Sequence, residues 1–227
     1  MLRTNPTYAI YESAGNNLER YAMAWGESKV WLQGKQNEGL YQALLTDAES
    51  APSRNARRKK VVTPTEMPWE MSRQGLLKHL LNSAMNVRYE SIDAYMQIIP
   101  PGSKSGKHRH LAEECFYVLE GKGYDLHQDC DVEITDVYTW SASPEVKRFE
   151  WEAGDMVYIP PNTIHQHFNA DPKRPVRVIS SINRIFRNFG LNDLEQIEDA
   201  PEFDPKVKLT DDLVRKYLRG EVALPKR

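Results

Sequence analysis

The amino-acid sequence predicts an all-β domain of antiparallel strands, arranged as a sandwich or barrel, with helical decorations at both ends. From Ser91 onward the chain consists of short β runs separated by Gly and Pro. No helical segment interrupts these runs, which is typical of antiparallel architectures. Helical periodicity is confined to the flanking segments. The predicted strands are residues 94–99, 115–120, 123–127, 132–140, 148–151, 156–159 and 176–182.

The amino-terminal segment, residues 1–90, is predicted to be a helical extension. Apolar residues recur at three- and four-residue intervals over residues 16–48, and again over residues 72–85, where four leucines share one helical face. Residues 48–60 have no periodicity and few bulky apolar residues, so a linker is predicted there.

The carboxy-terminal segment, residues 186–227, is predicted to be a polar extension that ends in a helix. This helix spans residues 211–219. Thr210 is its predicted N-cap and Gly220 its C′ residue. The central residues 91–185 form the predicted β domain, and the long segment between Gly121 and Gly154 is expected to add a strand pair or lid that contains Trp140.

Three potential metal ligands share one parity in a strand-like segment. His108, His110 and Glu114 are separated by even numbers of residues, so their side chains are expected on one face of the strand. A second segment supplies His165 between a Gly/Pro turn and a polar strand. Three imidazoles and one carboxylate suit Fe(II), Mn(II), Ni(II) or Zn(II) better than Ca(II) or Mg(II), which prefer oxygen ligands. The sequence therefore predicts one divalent transition metal per chain.

The spacing of these residues resembles the two motifs of the cupin superfamily. The first motif is matched by Gly102, His108, His110, Glu114 and Gly121, and the second by Gly154, Pro160, His165 and Asn169. Asn162 stands where the family has Gly, at a turn position that is expected to need positive φ, which Asn tolerates.

The resemblance covers about residues 92–185 and implies a single cupin, an antiparallel double-sheet jelly-roll barrel with its metal inside. Phe116 and Val118 share the parity of Glu114 and are expected to line the same interior. Single-domain cupins commonly pair, and the segment with Trp25 and Trp31 offers apolar surface, so a homodimer is predicted.

The segment around His165 also resembles the second motif of gentisate 1,2-dioxygenases and related ring-cleaving cupins. His167 shares the parity of His165 and Asn169, and the resemblance implies that it lies near the substrate. The gentisate enzymes generally lack the glutamate that Glu114 provides here. Glu114 is therefore either a fourth ligand or a catalytic base that takes a phenolic proton.

Three functions remain open on this sequence. The first is an Fe(II)-dependent dioxygenase that takes a small phenolic or other enolisable aromatic acid and O2, with His167 and Glu114 as catalytic candidates. The second is a metal-dependent isomerase, lyase or decarboxylase without a redox step. The third is a small-molecule-binding cupin without catalysis. Substrate and metal identity are not determined by the motifs.

Composition excludes other classes of function. The 227 residues carry a net charge of -2, which gives no electrostatic case for nucleic acid. No apolar run is long enough for a membrane span, and the first residues do not resemble a signal peptide, so a cytoplasmic location is predicted. Cys115 and Cys130 agree with a reducing compartment.

Overall fold

The computed structural model describes residues 34–35, 38–87, 91–134, 138–191 and 193–222. The chain divides into two compact units, Met1–Ser53 and Arg54–Arg227. Most of the predicted helical stretch 16–48, with Trp25 and Trp31, lies outside the described residues. Helix α1, Leu40–Arg57, confirms its final part and has no buried residue. The linker predicted over residues 48–60 is wrong up to Arg57, because alanines, glutamate and arginines favour the helix although Pro52 lies inside it.

Antiparallel strands in two sheets form the second unit. A six-stranded sheet has the order β1-β2-β3-β12-β5-β10, a five-stranded sheet has the order β13-β4-β11-β6-β9, and β7 and β8 form a separate pair. The strands are β1 Trp69–Ser72, β2 Gly75–Leu81, β3 Ile92–Ile99, β4 Lys107–His110, β5 Glu114–Glu120, β6 Lys122–Gln128, β7 Cys130–Ile134, β8 Tyr138–Ala142, β9 Lys147–Glu152, β10 Met156–Ile159, β11 Ile164–Asn169, β12 Val176–Asn183 and β13 Leu194–Glu198.

The core lies between the two sheets. Phe116 and Val118 on β5 pack with Trp151 on β9, and the Phe116 and Trp151 rings meet edge to face at 5.8 Å. Phe116 and Val118 are 1% and 0% exposed, which confirms that they face the interior. This two-sheet arrangement confirms the predicted all-β jelly-roll class, although backbone pairing does not join the two sheets into a closed barrel within the described strands.

The helix predicted over residues 72–85 is wrong, because β1 and β2 form a hairpin there. Leu76 and Leu77 are both buried but point to opposite faces of β2. Leu76 packs against Val214, whereas Leu77 packs against Tyr95. A strand that is buried on both faces has a continuous apolar run, which periodicity alone does not distinguish from a helix face. β1 and β2 therefore extend the six-stranded sheet, although they fall within the predicted helical extension.

The segment between Gly121 and Gly154 contains the predicted extra strand pair, β7 and β8, with Trp140 on β8. The guanidinium carbon of Arg109 lies 4.0 Å from the centre of the Trp140 ring. Arg109 is 2% exposed and donates two hydrogen bonds to the carboxylate of Asp193, at 2.7 and 2.8 Å. One buried arginine on β4 thus contacts both the hairpin and the segment that leads into β13.

Two further helices follow β12. Helix α2, Ile185–Asn188, is a single turn. Helix α3, Asp211–Arg219, begins after Thr210, whose side chain accepts a hydrogen bond from the Leu213 amide, and ends at Gly220 with φ 72°. These caps confirm the predicted helix. None of the described helices combines the length and apolar character needed to cross a membrane.

Candidate metal centre

Strands from both sheets bring the four predicted ligands together. His108 and His110 lie on β4, His165 on β11 and Glu114 at the start of β5. His165 is the direct cross-strand partner of His108. Asn162 lies in the turn before β11 with φ 65°, which confirms the predicted left-handed position, and its amide donates to the His110 carbonyl at 2.9 Å.

The quartet is compact and buried. One ligand atom from each residue lies within 4.8 Å of the others. Nε2 of His110 is 3.0 Å from Glu114 Oε2, and Nε2 of His165 is 3.6 Å from the same oxygen. All four side chains are less than 5% exposed. A cluster of this type and size matches the donor set expected for a first-row transition metal.

The hydrogen bonds of the histidines show why a cation fits here. His110 and His165 each have Nδ1 within bonding distance of a carbonyl oxygen, Ala112 at 2.6 Å and Thr163 at 2.9 Å. A carbonyl only accepts, so Nδ1 carries the proton and a neutral ring directs the Nε2 lone pair at Glu114. Nε2 of His165 has no hydrogen-bond partner. Lone pairs that converge on a carboxylate are stabilised by a divalent ion.

The electrostatic environment prepares the histidines for ligation. Burial, together with the neighbouring His165 and His110 rings, holds the pKa of His108 well below its ordinary value. Burial also lowers the pKa of His165, although the Glu114 carboxylate opposes this effect. Both rings are therefore neutral near pH 7 and keep a lone pair for a metal.

Glu114 is held as a carboxylate. Burial acts to raise the pKa of Glu114, but the close approach of the His110 and His165 rings outweighs burial, so this pKa lies well below the ordinary value. Oε1 accepts hydrogen bonds from the Tyr95 hydroxyl at 3.1 Å and from the Ser180 hydroxyl. Because Oε1 is occupied, Oε2 is the oxygen that faces the histidines.

His167 lies beside the quartet and is bound to Asp125. The His167 ring is 5.6 Å from the His165 ring and 4.8 Å from Phe116. Its Nδ1 lies 3.0 Å from each Asp125 oxygen, and this carboxylate raises the pKa of His167 against the opposing effect of burial. Burial raises the pKa of Asp125, but the charge of His167 and hydrogen bonds from His127, His167 and Trp151 lower it to about 2.

A cavity of about 360 Å³ reaches the quartet at His108 and His110. Its wall is largely apolar and includes Leu77, Ala94, Ile182 and Leu194. A mainly apolar cavity with a few polar groups at its base is typical of a site for a small organic molecule.

Two polar residues close to the motifs, Asn169 and Arg177, have structural roles. Asn169 is buried and donates to the backbone oxygens of Ile99, Pro100 and Arg174, so it braces a loop. Arg177 contacts Glu120 and the Leu218 carbonyl outside the barrel. Sequence reasoning missed Asp125, Tyr95 and Ser180, which lie on β6, β3 and β12, because strand pairing and not motif spacing brings them to the site.

The fold and the buried quartet define a cupin with a potential metal site of three histidines and one glutamate. The family profile described as auxin binding protein matches residues 51–196, and the chain belongs to this family.

Two auxin-binding proteins of Nicotiana tabacum are each 26% identical to this chain over 121 residues, a match that covers 53% of this chain. The same match covers 61% of each tobacco protein, so the chain spans about three fifths of the length of these curated relatives. An uncharacterized protein of Methanocaldococcus jannaschii is 34% identical over 70 residues, covering 30% of this chain and 42% of that protein.

Among solved structures, an oxalate decarboxylase formate complex from Lactobacillus farciminis aligns with TM-score 0.44 and 16% identity, over 59% of this chain and 34% of that chain. The capsular polysaccharide assembling protein CapF from Staphylococcus aureus aligns with TM-score 0.41 and 17% identity, over 58% of this chain and 34% of that chain.

Proposed function

We propose that this protein is a metal-dependent dioxygenase that acts on a small phenolic or other enolisable aromatic acid, with Fe(II) as the favoured ion. The observation that carries this proposal is the buried quartet of His108, His110, Glu114 and His165 at the base of a mainly apolar cavity of about 360 Å³. A six-coordinate ion held by these four residues would keep about two positions for substrate and O2.

Glu114 acts as a ligand in this proposal and not as a base. Its carboxylate is ionised, with a pKa well below the ordinary value, which makes it a weak proton acceptor. Tyr95 and Ser180 donate to Oε1 and so orient Oε2 toward the histidines. Hydroxyl donors behind a ligating carboxylate fix its direction and tune the ion.

His167 holds or moves a proton beside the site. Asp125 accepts a hydrogen bond from Nδ1–H of His167 and so fixes the ring orientation. The pairing of a buried carboxylate with an imidazole favours the charged ring, which can donate a proton or a hydrogen bond to substrate. When bound, the ion supplies Lewis-acid chemistry and, for Fe(II), redox chemistry.

The second candidate function is binding without turnover. The match to the auxin binding protein family and to two tobacco auxin-binding proteins favours it. In this case the same cavity binds auxin or another small molecule, and the ion holds the ligand without reaction.

Metal analysis and oxygen uptake on the same preparation separate these functions. The metal content of protein purified without added metal is determined by elemental analysis. Oxygen uptake is then measured with gentisate, salicylate, catechol and hydroquinone analogues. Iron near one per chain with substrate-dependent oxygen uptake supports the dioxygenase. Substrate conversion without oxygen uptake supports an isomerase, lyase or decarboxylase with Mn(II), Ni(II) or Zn(II). Calorimetric binding of auxin without conversion of any compound supports the binding protein.

A further inference from the structure

The cavity of about 360 Å³ that reaches the quartet is called the metal cavity below. A second cavity of about 280 Å³ lies next to it. Asp93, Arg184 and Arg187 line both cavities, so the two cavities adjoin at these residues. The second cavity does not include any member of the His/Glu quartet among its lining residues. The second cavity therefore adjoins the proposed substrate site without containing the predicted metal ligands.

The described lining of the second cavity is rich in arginine. Its described lining residues include three arginines, Arg58, Arg184 and Arg187, and one carboxylate, Asp93. Asp93 is matched by Arg184, because Nε of Arg184 lies 2.8 Å from Asp93 Oδ2. Arg187 is exposed and has no ion pair with any described residue. Among the described lining residues, Arg187 thus contributes a positive charge that no described carboxylate pairs with.

The neutral groups of this cavity suit the same kind of ligand. Ser83 and Asn86 line it and carry side-chain donors, and Asn86 lies in the left-handed region with φ 53° at the end of a short 3₁₀ turn. Guanidinium groups bind planar or tetrahedral oxyanions through paired N–H donors. The metal cavity is lined instead by apolar side chains such as Leu77 and Ile182.

We propose that the second cavity holds the anionic end of a ligand, a carboxylate or phosphate group. The apolar body of the same ligand extends into the metal cavity. Arg187 is the main anchor, since it lines both cavities and has no ion pair with any described residue. This proposal rests on the proposed function, because it specifies a charged group on the same substrate, at the end that lies far from the metal. A substrate of this kind is an elongated aromatic acid or aromatic phosphate.

Isothermal titration calorimetry of the purified protein with its bound metal tests this assignment. The probes are 3-(4-hydroxyphenyl)propionate, its neutral amide and inorganic phosphate. The variants are Arg187→Gln and the matched control Arg215→Gln, an exposed arginine on α3 outside both cavities. We expect Arg187→Gln to weaken binding of the acid or of phosphate about 10- to 100-fold, the usual loss of a charged hydrogen bond. The amide should be unaffected, and Arg215→Gln should behave like the parent protein.

Equal affinity of the anions for the parent protein and Arg187→Gln overturns the assignment, as does the absence of anion binding at millimolar concentration. Loss of acid affinity with unchanged phosphate affinity identifies the carboxylate as the bound group, and the reverse identifies phosphate. His108→Ala separates this inference from the proposed function. That variant should lose metal but still bind phosphate with an affinity that depends on Arg187. If the proposed function is wrong, phosphate binding still depends on Arg187, so the two proposals can fail independently.

Discussion

Nδ1 of His167 lies 3.0 Å from both carboxylate oxygens of Asp125, and both side chains are buried beside the metal quartet. Asp125 also accepts from Trp151 Nε1 at 2.8 Å and lies 3.2 Å from His127 Nε2. A single carboxylate with these partners fixes the His167 ring from behind. This relationship distinguishes His167 from His110 and His165, two predicted ligands whose Nδ1 atoms face backbone carbonyls.

We expect His167→Ala to keep its metal and to reduce turnover by about two to four orders of magnitude, the usual cost of losing a positioned acid or base. Metal content and oxygen uptake measure the two effects. Asp125→Asn should have a smaller effect on turnover and should shift its pH profile, because the amide no longer favours the charged ring. Loss of metal in His167→Ala would show instead that His167 is a ligand.

The quartet should control metal content. We expect His108→Ala and His165→Ala to lose most of the metal and to remain folded, because the apolar core of the two sheets does not depend on an ion. His79→Gln is the matched control, since His79 pairs with Glu70 outside the quartet. Elemental analysis and circular dichroism of each variant provide the measurements. Full metal retention in both alanine variants contradicts the assignment.

Glu202 should make stability fall between about pH 4.5 and pH 7. Burial raises its pKa from 4.5 to about 7, against hydrogen bonds from its own backbone and Ser103. The unfolded chain releases this proton first as pH rises, so the native state loses stability until its own pKa is passed. We expect a loss of roughly 1–3 kcal/mol, which Glu202→Gln removes. Urea unfolding at pH 5 and pH 8 measures it, and the exposed Glu133→Gln should retain the parent dependence.

Arg109 should contribute to stability through the segments that it contacts. Arg109→Leu removes hydrogen bonds to Asp193 and Asn162 as well as the stack on Trp140, so we expect a loss of about 2–4 kcal/mol in the free energy of unfolding. Trp140→Leu removes only the stack and should cost about 1 kcal/mol. Chemical denaturation compares the two. Equal losses in the two variants would show that the polar contacts of Arg109 contribute nothing to stability.

The homodimer remains a prediction. Its sequence argument involves Trp25 and Trp31, which lie outside the described residues, but exposed apolar side chains on β5 and β10 also favour pairing. Tyr117 and Met156 are cross-strand partners and are 42% and 64% exposed. Light scattering should give about twice the chain mass of 26.2 kDa. A monomer mass at micromolar concentration contradicts the prediction.

Much of the site could be predicted because ligand parity is a local property. His108, His110 and Glu114 follow a period of two that a strand converts directly into a shared interior, and Asn162 takes the φ that its place in the motif requires. The C-terminal helix could also be predicted, because the residues that cap its ends, Thr210 and Gly220, are local sequence signals.

The remaining features depend on tertiary contacts. Leu76 and Leu77 resemble a helix face in sequence, and only the packing of β2 between α3 and the barrel interior makes them a strand. Asp125 has no motif around it, and its role depends on the pairing of β6 with β11, where it is the direct partner of His167. Arg184 and Arg187 are ordinary polar residues in sequence until α2 places them beside the cavities.

His108, His110 and His165 belong to the five-stranded sheet, whereas Glu114 belongs to the six-stranded sheet. The distance between the carboxylate and the imidazoles is therefore set by the thickness of the core, where Phe116 and Trp151 act as spacers. The preference for an ion of a given radius would then depend on how side chains such as Phe116 and Trp151 pack between the two sheets. Evolution could retune the metal preference of such a protein by resizing spacer side chains, without altering any ligand.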